Sequence, residues 1–196
     1  MTDWPFVDYQ QPAVPPDGPR LALIGEAPGA EEVRQGIPFA GRSGKLLNEA
    51  LHAAGIARER CLVANVFRRQ PPGNKVGHFF SSRARARKEG HGIDERWGPF
   101  GTSDWVIDAF APDLDHLERT LKAFAPAVLV ALGRTPLWAL TGENGITRLR
   151  GQALPCRLVP SAVVVPTYHP SFILRGQSKE LPTMIDDLKA AAARLA

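Results

Sequence analysis

A chain of 196 residues, 44% of them hydrophobic, is sized for one globular domain with a real core, and no apolar run in it approaches the roughly 20 residues that a membrane-spanning helix needs. Its two cysteines, Cys61 and Cys156, show no Cys-x-x-Cys or zinc-like spacing, which argues against a disulfide framework and a cysteine-ligated metal site. The net charge of +4 is small but unevenly placed: Arg68 and Arg69 adjoin, and Arg83, Arg85, Arg87 and Lys88 crowd one stretch, a clustering that suits a polyanion through counterion release or, in the second stretch, a plain solvated loop.

In chain order, residues 1–20 are acidic and proline-rich with no apolar leader core, so they read as an extended segment and not as a secretory signal; the expectation is a cytoplasmic protein. Leu21–Gly25 is a short aliphatic strand candidate that breaks into Gly25-Glu26-Ala27-Pro28-Gly29. A second glycine-flanked bend, Gly36 to Gly41 around Pro38-Phe39, precedes a helix expected over Lys45–Ala54, where Leu46, Leu47, Ala50, Leu51 and Ala54 share a face and Gly55 supplies the stop. Leu62–Val66 is the next strand and carries Asn65 into Arg68, Arg69 and the Pro-Pro-Gly-Asn turn at 71–74. Between Gly77 and Pro112 the pattern lapses into Gly, Arg, Pro and aromatics, which predicts a long basic loop or insertion. Asp113–Phe124 resumes as a helix with Leu114, Leu117, Leu121 and Phe124 on its stripe; Ala127–Leu132 and Ala162–Pro166 are strands, and Leu181–Leu195 closes the chain as a helix. Strands alternating with helices predict a parallel sheet covered by helices, hence an α/β protein.

In open α/β sheets ligands bind beyond the carboxyl ends of the strands. Three of those ends carry chemistry: the Gly25–Gly29 turn, Asn65, and "PTYHPSFILR", which places His169 just past the last strand. Singly, each has a plain explanation as a turn, a cap or a structural histidine; on one edge together they describe a site.

The stretches "GEAPGAEEVRQGIPFAGRSGKLL", "NVFRRQPPGN", "ALGRTPLWAL", "ITRLRG" and "PTYHPSFILR", in that order from Gly25 to Arg175, resemble the successive motifs of the family 4 uracil-DNA glycosylases. The resemblance implies a single three-layer α/β/α domain over residues 1–196 with a central, mainly parallel four-stranded sheet. It also implies the activity: rotating uracil, and other deaminated bases, out of DNA and hydrolysing the N-glycosidic bond in base excision repair.

Residue by residue, the implied roles make physical sense. Phe39 matches the aromatic face that stacks on the extruded base, worth roughly 1–3 kcal/mol, Gly36 and Gly41 around it let backbone approach base and sugar, and Gly25 and Ala27 are further expected substrate contacts. Asn65 matches the base reader, its amide accepting uracil N3–H and donating to O4. His169 matches the donor to O2, where negative charge collects as the bond breaks, with the Glu26–Ala27 N–H groups beside it. Water activation is open between Glu26 and Glu32, because Ala27 stands where better-known branches of the superfamily place a carboxylate; Glu32 is alternatively a group that crowds out thymine. Gly41, Ser43, Arg68, Ser171 and Arg175 are the expected DNA contacts, with Phe172 or Ile173 as the wedge that fills the emptied stack. The quoted motifs hold one lysine, Lys45, at the start of the expected helix and none at a strand end, so the expectation is an enzyme without a lyase step, monofunctional and monomeric.

One departure is plain. Family 4 enzymes hold an iron–sulfur cluster on four cysteines, whereas residues 1–24 contain none and Arg69 occupies the expected position of the third ligand, so no metal and no cofactor are expected here. Two other readings stay open at this point: a nucleic-acid-binding module of the same fold with feeble catalysis, and a small-molecule hydrolase, the latter opposed by the lack of a Gly-Lys-Ser/Thr phosphate loop.

Overall fold

The computed structural model describes residues 4–195, so residues 1–3 of the expected extended segment lie outside it. In chain order the elements are β1 (Leu21–Gly25), α1 (Ala30–Gln35), α2 (Arg42–Ala53), β2 (Leu62–Asn65), β3 (Phe80–Ser81), α3 (Arg83–Glu89), β4 (Ile93–Asp94), β5 (Trp105–Ile107), α4 (Ala111–Phe124), β6 (Val128–Leu132), α5 (Arg134–Thr141), α6 (Ile146–Leu149), β7 (Leu154–Pro155), β8 (Val163–Thr167), α7 (Pro170–Leu174) and α8 (Leu181–Ala192).

The central sheet runs β2-β1-β6-β8-β7, with β2, β1, β6 and β8 parallel and β7 antiparallel at the edge. The expected count of four strands is therefore corrected to five: Leu154–Pro155 is too short to show a period, and it pairs because β8 offers a free edge. Every residue of β1, β2 and β6 is buried, as expected for parallel strands covered on both faces. Their side chains divide by the period of two. Ala22, Ile24, Leu129 and Ala131 join the core beneath α4 and α5, while Leu21, Leu23, Val128 and Val130 join the core beneath α2, α7 and α8. That division is the three-layer α/β/α sandwich. Strand β1 leads outward to β2 on one side, and the chain then crosses to β6 on the other, so the strand order reverses at the carboxyl end of β1.

The segment expected as a loop between Gly77 and Pro112 is ordered instead. It forms a small antiparallel sheet, β3-β5-β4, with α3 in the connection between β3 and β4. Strands of two or three residues leave no periodic trace in the sequence, but the aromatics there have a purpose: Phe80 stacks on Phe100 at 4.2 Å and meets Trp138 of α5 edge-on at 5.3 Å, while Phe79 stacks on Phe67 at 4.2 Å. Each such pair is worth about 0.5–1.5 kcal/mol beyond its buried area, enough to dock the insertion on the sandwich.

The segment before β1 is also tied down. Val7 N–H donates to Arg68 O at 2.8 Å, and Gln10 exchanges backbone hydrogen bonds with Val63 at 2.8 and 2.9 Å. Beside this strap, Asp113 of α4 is fully buried and accepts from Arg68 N–H (3.1 Å), Arg68 Nε (3.3 Å) and Arg69 Nη1 (3.2 Å).

Candidate active site

A cavity of about 630 Å³ opens at the carboxyl edge of the sheet, where the strand order reverses. Four strand ends feed it. After β1 come Glu26 to Gly29, then Glu32, Phe39 and Ser43; β2 contributes Asn65; β6 contributes Gly133 and Arg134; β8 contributes Tyr168, His169, Ser171, Phe172 and Arg175. The three strand ends expected from the sequence thus converge, and a fourth joins them.

The Pro38-Phe39 bend is held in an unusual conformation. Phe39 has φ = 55°, a region that bulky residues rarely adopt, and its ring is buried at the cavity wall. Its N–H donates to Glu32 Oε1 at 2.5 Å, while Glu32 Oε2 accepts from Gly29 N–H at 2.6 Å. Glu32 therefore bridges the two bends flanking α1, with both oxygens engaged by backbone; burial still raises its pKa against the pull of those N–H groups. Two glycines make the close approach possible. A Cβ on Gly25 would lie 2.3 Å from Asn65 Oδ1 and 2.5 Å from the Phe39 ring, and one on Gly44 would lie 1.6 Å from Phe39 O. Only hydrogens at 25 and 44 let ring and amide stand side by side.

Asn65 is 3% exposed, and its Nδ2 makes no hydrogen bond of good geometry, with the Glu32 carboxylate the acceptor beside it. A buried amide donor left without a full complement of partners costs about 1–3 kcal/mol, so the arrangement favours a ligand that supplies an acceptor. A carboxylate on the Nδ2 side also opposes an amide flip, since the oxygen would then face another acceptor.

His169 caps α7. Its Nδ1 accepts from Ser171 N–H at 3.1 Å and lies 2.8 Å from Ser171 Oγ, which itself accepts from Arg175 Nη1 at 3.0 Å. With donors supplied to Nδ1, the proton of a neutral ring resides on Nε2. Burial and then the Arg175 charge push the His169 pKa down to about 4, so the ring is neutral near pH 7. Its ring centroid is 5.9 Å from that of Phe39. Gly133, at φ = 102°, makes room for it, because a Cβ there would come within 3.0 Å of His169 Cβ.

Glu26 accepts a short hydrogen bond from Thr135 Oγ1 through Oε2, and among the described residues its other oxygen takes none. Burial raises its pKa, opposed by Thr135, Arg134 and Arg175. Arg134, on α5, acts on this carboxylate through its charge while its guanidinium lies 4.2 Å over the Phe100 ring, which links the insertion to the cavity rim.

Of the remaining expected residues, Ala27 and Ser43 line the cavity and Gly41 caps α2 in extended conformation. Phe172 is 36% exposed and lies tilted against Tyr168 with ring centroids 5.0 Å apart, and Arg175 is exposed at the rim. Two expectations are corrected. Ile173 is 3% exposed in the core beneath α2 and α8, so it cannot act as a wedge and Phe172 alone of the pair is available. Arg68, expected on DNA, turns inward to Asp113 and Asp8 and lies over Phe6, because a fully buried carboxylate needs compensating cations. Sequence reasoning missed Arg134 and Thr135 as site residues, although the glycine that closes "AVLVALG" at the end of β6, Gly133, was the same signal that marked Gly25.

The residues present do not fit the iron–sulfur cluster implied by the resemblance. Cys61 and Cys156 belong to cores on opposite faces of the sheet, and burial pushes both thiols up, Cys61 to about 12. Among the described residues no three His, Cys, Asp or Glu side chains converge on a metal position, and Arg69 is committed to Asp113. Such clusters require about four thiolates.

Known proteins resemble the chain over most of its length. The profile of the Uracil DNA glycosylase superfamily matches residues 12–193. The chain is similar to the type-4 uracil-DNA glycosylase of Thermotoga maritima, 32% identical over 184 residues covering 88% of this chain and 76% of that one. It is also similar to the proteins of that name from Pyrobaculum aerophilum, 40% identical with 87% and 78% covered, and Sulfurisphaera tokodaii, 30% identical with 85% and 67% covered.

Proposed function

The chain belongs to the Uracil DNA glycosylase superfamily, and from that premise we propose that it is a monofunctional DNA glycosylase that extrudes uracil, and other deaminated bases, from DNA and hydrolyses the N-glycosidic bond in base excision repair. The observation that carries this reading is the convergence, in one cavity, of a buried amide with an unpaired donor at Asn65, the Phe39 ring and a neutral His169.

The chemistry follows from those groups. Extrusion costs a few kcal/mol, which stacking on Phe39 and pairing with Asn65 offset. Asn65 Oδ1 accepts uracil N3–H and Nδ2 donates to O4, while cytosine presents the reverse pattern and is rejected. As C1′–N1 breaks, its electron pair moves into the uracil ring and gathers at O2. The Nε2–H of His169 donates there, to charge that appears only at the transition state. A neutral ring does this without burying an unpaired cation. Water adds to C1′ from the sugar side, oriented by the free oxygen of Glu26, which takes up the proton. Glu26 suits this better than Glu32, whose oxygens both hold backbone N–H groups. Phe172 enters the emptied stack, and Arg175, Ser171, Ser43 and the backbone at Gly41 meet phosphates.

The test is an excision panel: oligonucleotides bearing uracil, hypoxanthine or xanthine, single- and double-stranded, incubated with the protein and then cleaved with alkali. Strand scission at uracil is expected. DNA retardation in a gel with no alkali-labile sites at any base would refute the assignment and leave a binding module.

A further inference from the structure

Arg58 lies outside the cavity, in the turn that follows α2, and takes no part in the steps above. Its guanidinium is partly buried and distributes its donors over four acceptors: Nη1 to Asn48 Oδ1 at 2.8 Å and, more weakly, to Phe39 O at 3.4 Å; Nη2 to Pro38 O at 2.8 Å and Gln10 Oε1 at 3.0 Å. Two of the four are the consecutive carbonyls of the bend that carries the base-stacking ring. Phe39 sits at φ = 55°, and such a backbone persists only where its surroundings over-determine it. Here the bend is gripped from both ends, its N–H by Glu32 and its carbonyls by Arg58, with Gly44 admitting the Phe39 carbonyl from the third side.

We propose that Arg58 is a positioning residue for base excision, acting through Phe39: its planar fork holds the Pro38-Phe39 bend so that the ring stands over Gly25 and against Asn65 before any base arrives. This rests on the reading of the cavity as a uracil site. Arginine is the residue this requires, because a lysine ammonium is a single point and cannot span successive carbonyls together with the Asn48 and Gln10 side chains. The grip also reaches beyond the bend. Gln10 is backbone-paired with Val63 of β2, the strand that presents Asn65, so Arg58 couples the stacking wall to the strand of the reading amide.

A double-mutant cycle tests it, using single-turnover excision from a uracil-containing duplex by wild type, Arg58→Lys, Phe39→Ala and the double variant. A small displacement of a reacting group can cost up to about 10²-fold, so Arg58→Lys is expected to slow the wild-type enzyme at least tenfold, with affinity for undamaged duplex unchanged within about twofold. In the Phe39→Ala background the same substitution is expected to change the rate less than twofold, because the ring it positions is gone. Running Arg58→Gln in parallel keeps the cycle decisive if one variant fails to fold. Equal slowing in both backgrounds, or an Arg58→Lys rate within twofold of wild type, would overturn the positioning role while leaving uracil excision intact. A wild-type protein that excises no uracil would overturn the cavity reading itself and this role with it.

Discussion

Two side chains carry most of the proposed chemistry, and each makes a separable prediction. His169 donates from a neutral ring, so His169→Ala should lower single-turnover excision by about 10²–10³, the scale for one oxyanion-type donor, with duplex affinity little changed. A rate within threefold of wild type would remove it from the reaction. Glu26 must be ionised to orient water, and burial raises its pKa, so the active form is lost as pH falls through a value above the ordinary carboxylate range. The acid limb of the rate profile should therefore lie above about 4.3, the reference for an unperturbed glutamate, and should vanish in Glu26→Gln along with most of the activity. A limb that persists in that variant would belong to another group. At this scale the place of Asn65 and His169 in one cavity was legible from the strand ends, and that of Phe39 from the motif resemblance. The second role of Glu32 was not, since clamping two bends depends on where α1 sends its side chain. Nor was the inward turn of Arg68, because an arginine beside a strand looks alike whether a buried aspartate or a phosphate awaits it.

The elements divide the same way. The four parallel strands and α2, α4 and α8 announced themselves by apolar runs or by a 3.6-residue stripe, and the structure moves their ends by a few residues at most. Helix α5 escaped notice for a physical reason: Thr135 through Leu140 are all buried, so it has no polar face to contrast with an apolar one. The insertion escaped because β3, β4 and β5 are each shorter than a detectable alternation. The strap and its ion hub bear the element-scale prediction. Removing the Arg68 side chain leaves Asp113 buried with Arg69 as its remaining cation, so Arg68→Ala should destabilise the fold on the order of 3 kcal/mol by denaturant titration. Uracil excision and DNA affinity at a temperature where the variant is folded should stay within about twofold. A stable variant that binds DNA tenfold more weakly would return Arg68 to the DNA interface.

Across the whole molecule, a sandwich with both faces covered leaves one sheet edge free for chemistry, and the segments leaving four strand ends line it, with an aromatic ring, a buried amide, a neutral imidazole and a carboxylate among them. The buried Asp113 with its two arginines, and the aromatic contacts of the insertion, brace this side of the molecule without the cysteine ligands that the resembled family carries. What distinguishes a uracil enzyme from a general DNA binder on this scaffold is the base-reading amide, and replacing it isosterically isolates that function. An aspartate at 65 has the same shape but, when ionised, only accepts, so it sets two acceptors against each other at uracil O4 in a desolvated pocket. The decisive measurement is single-turnover excision from uracil- and cytosine-containing strands by wild type and Asn65→Asp, with equal DNA affinity confirmed. The account predicts that Asn65→Asp loses uracil excision by at least about 10², at 1.36 kcal/mol per tenfold, and gains detectable release of cytosine from the fraction with a protonated carboxyl, which accepts from the cytosine amino group and donates its O–H to N3. Uracil excision unchanged by the substitution would show that Asn65 does not read the base and would contradict the site.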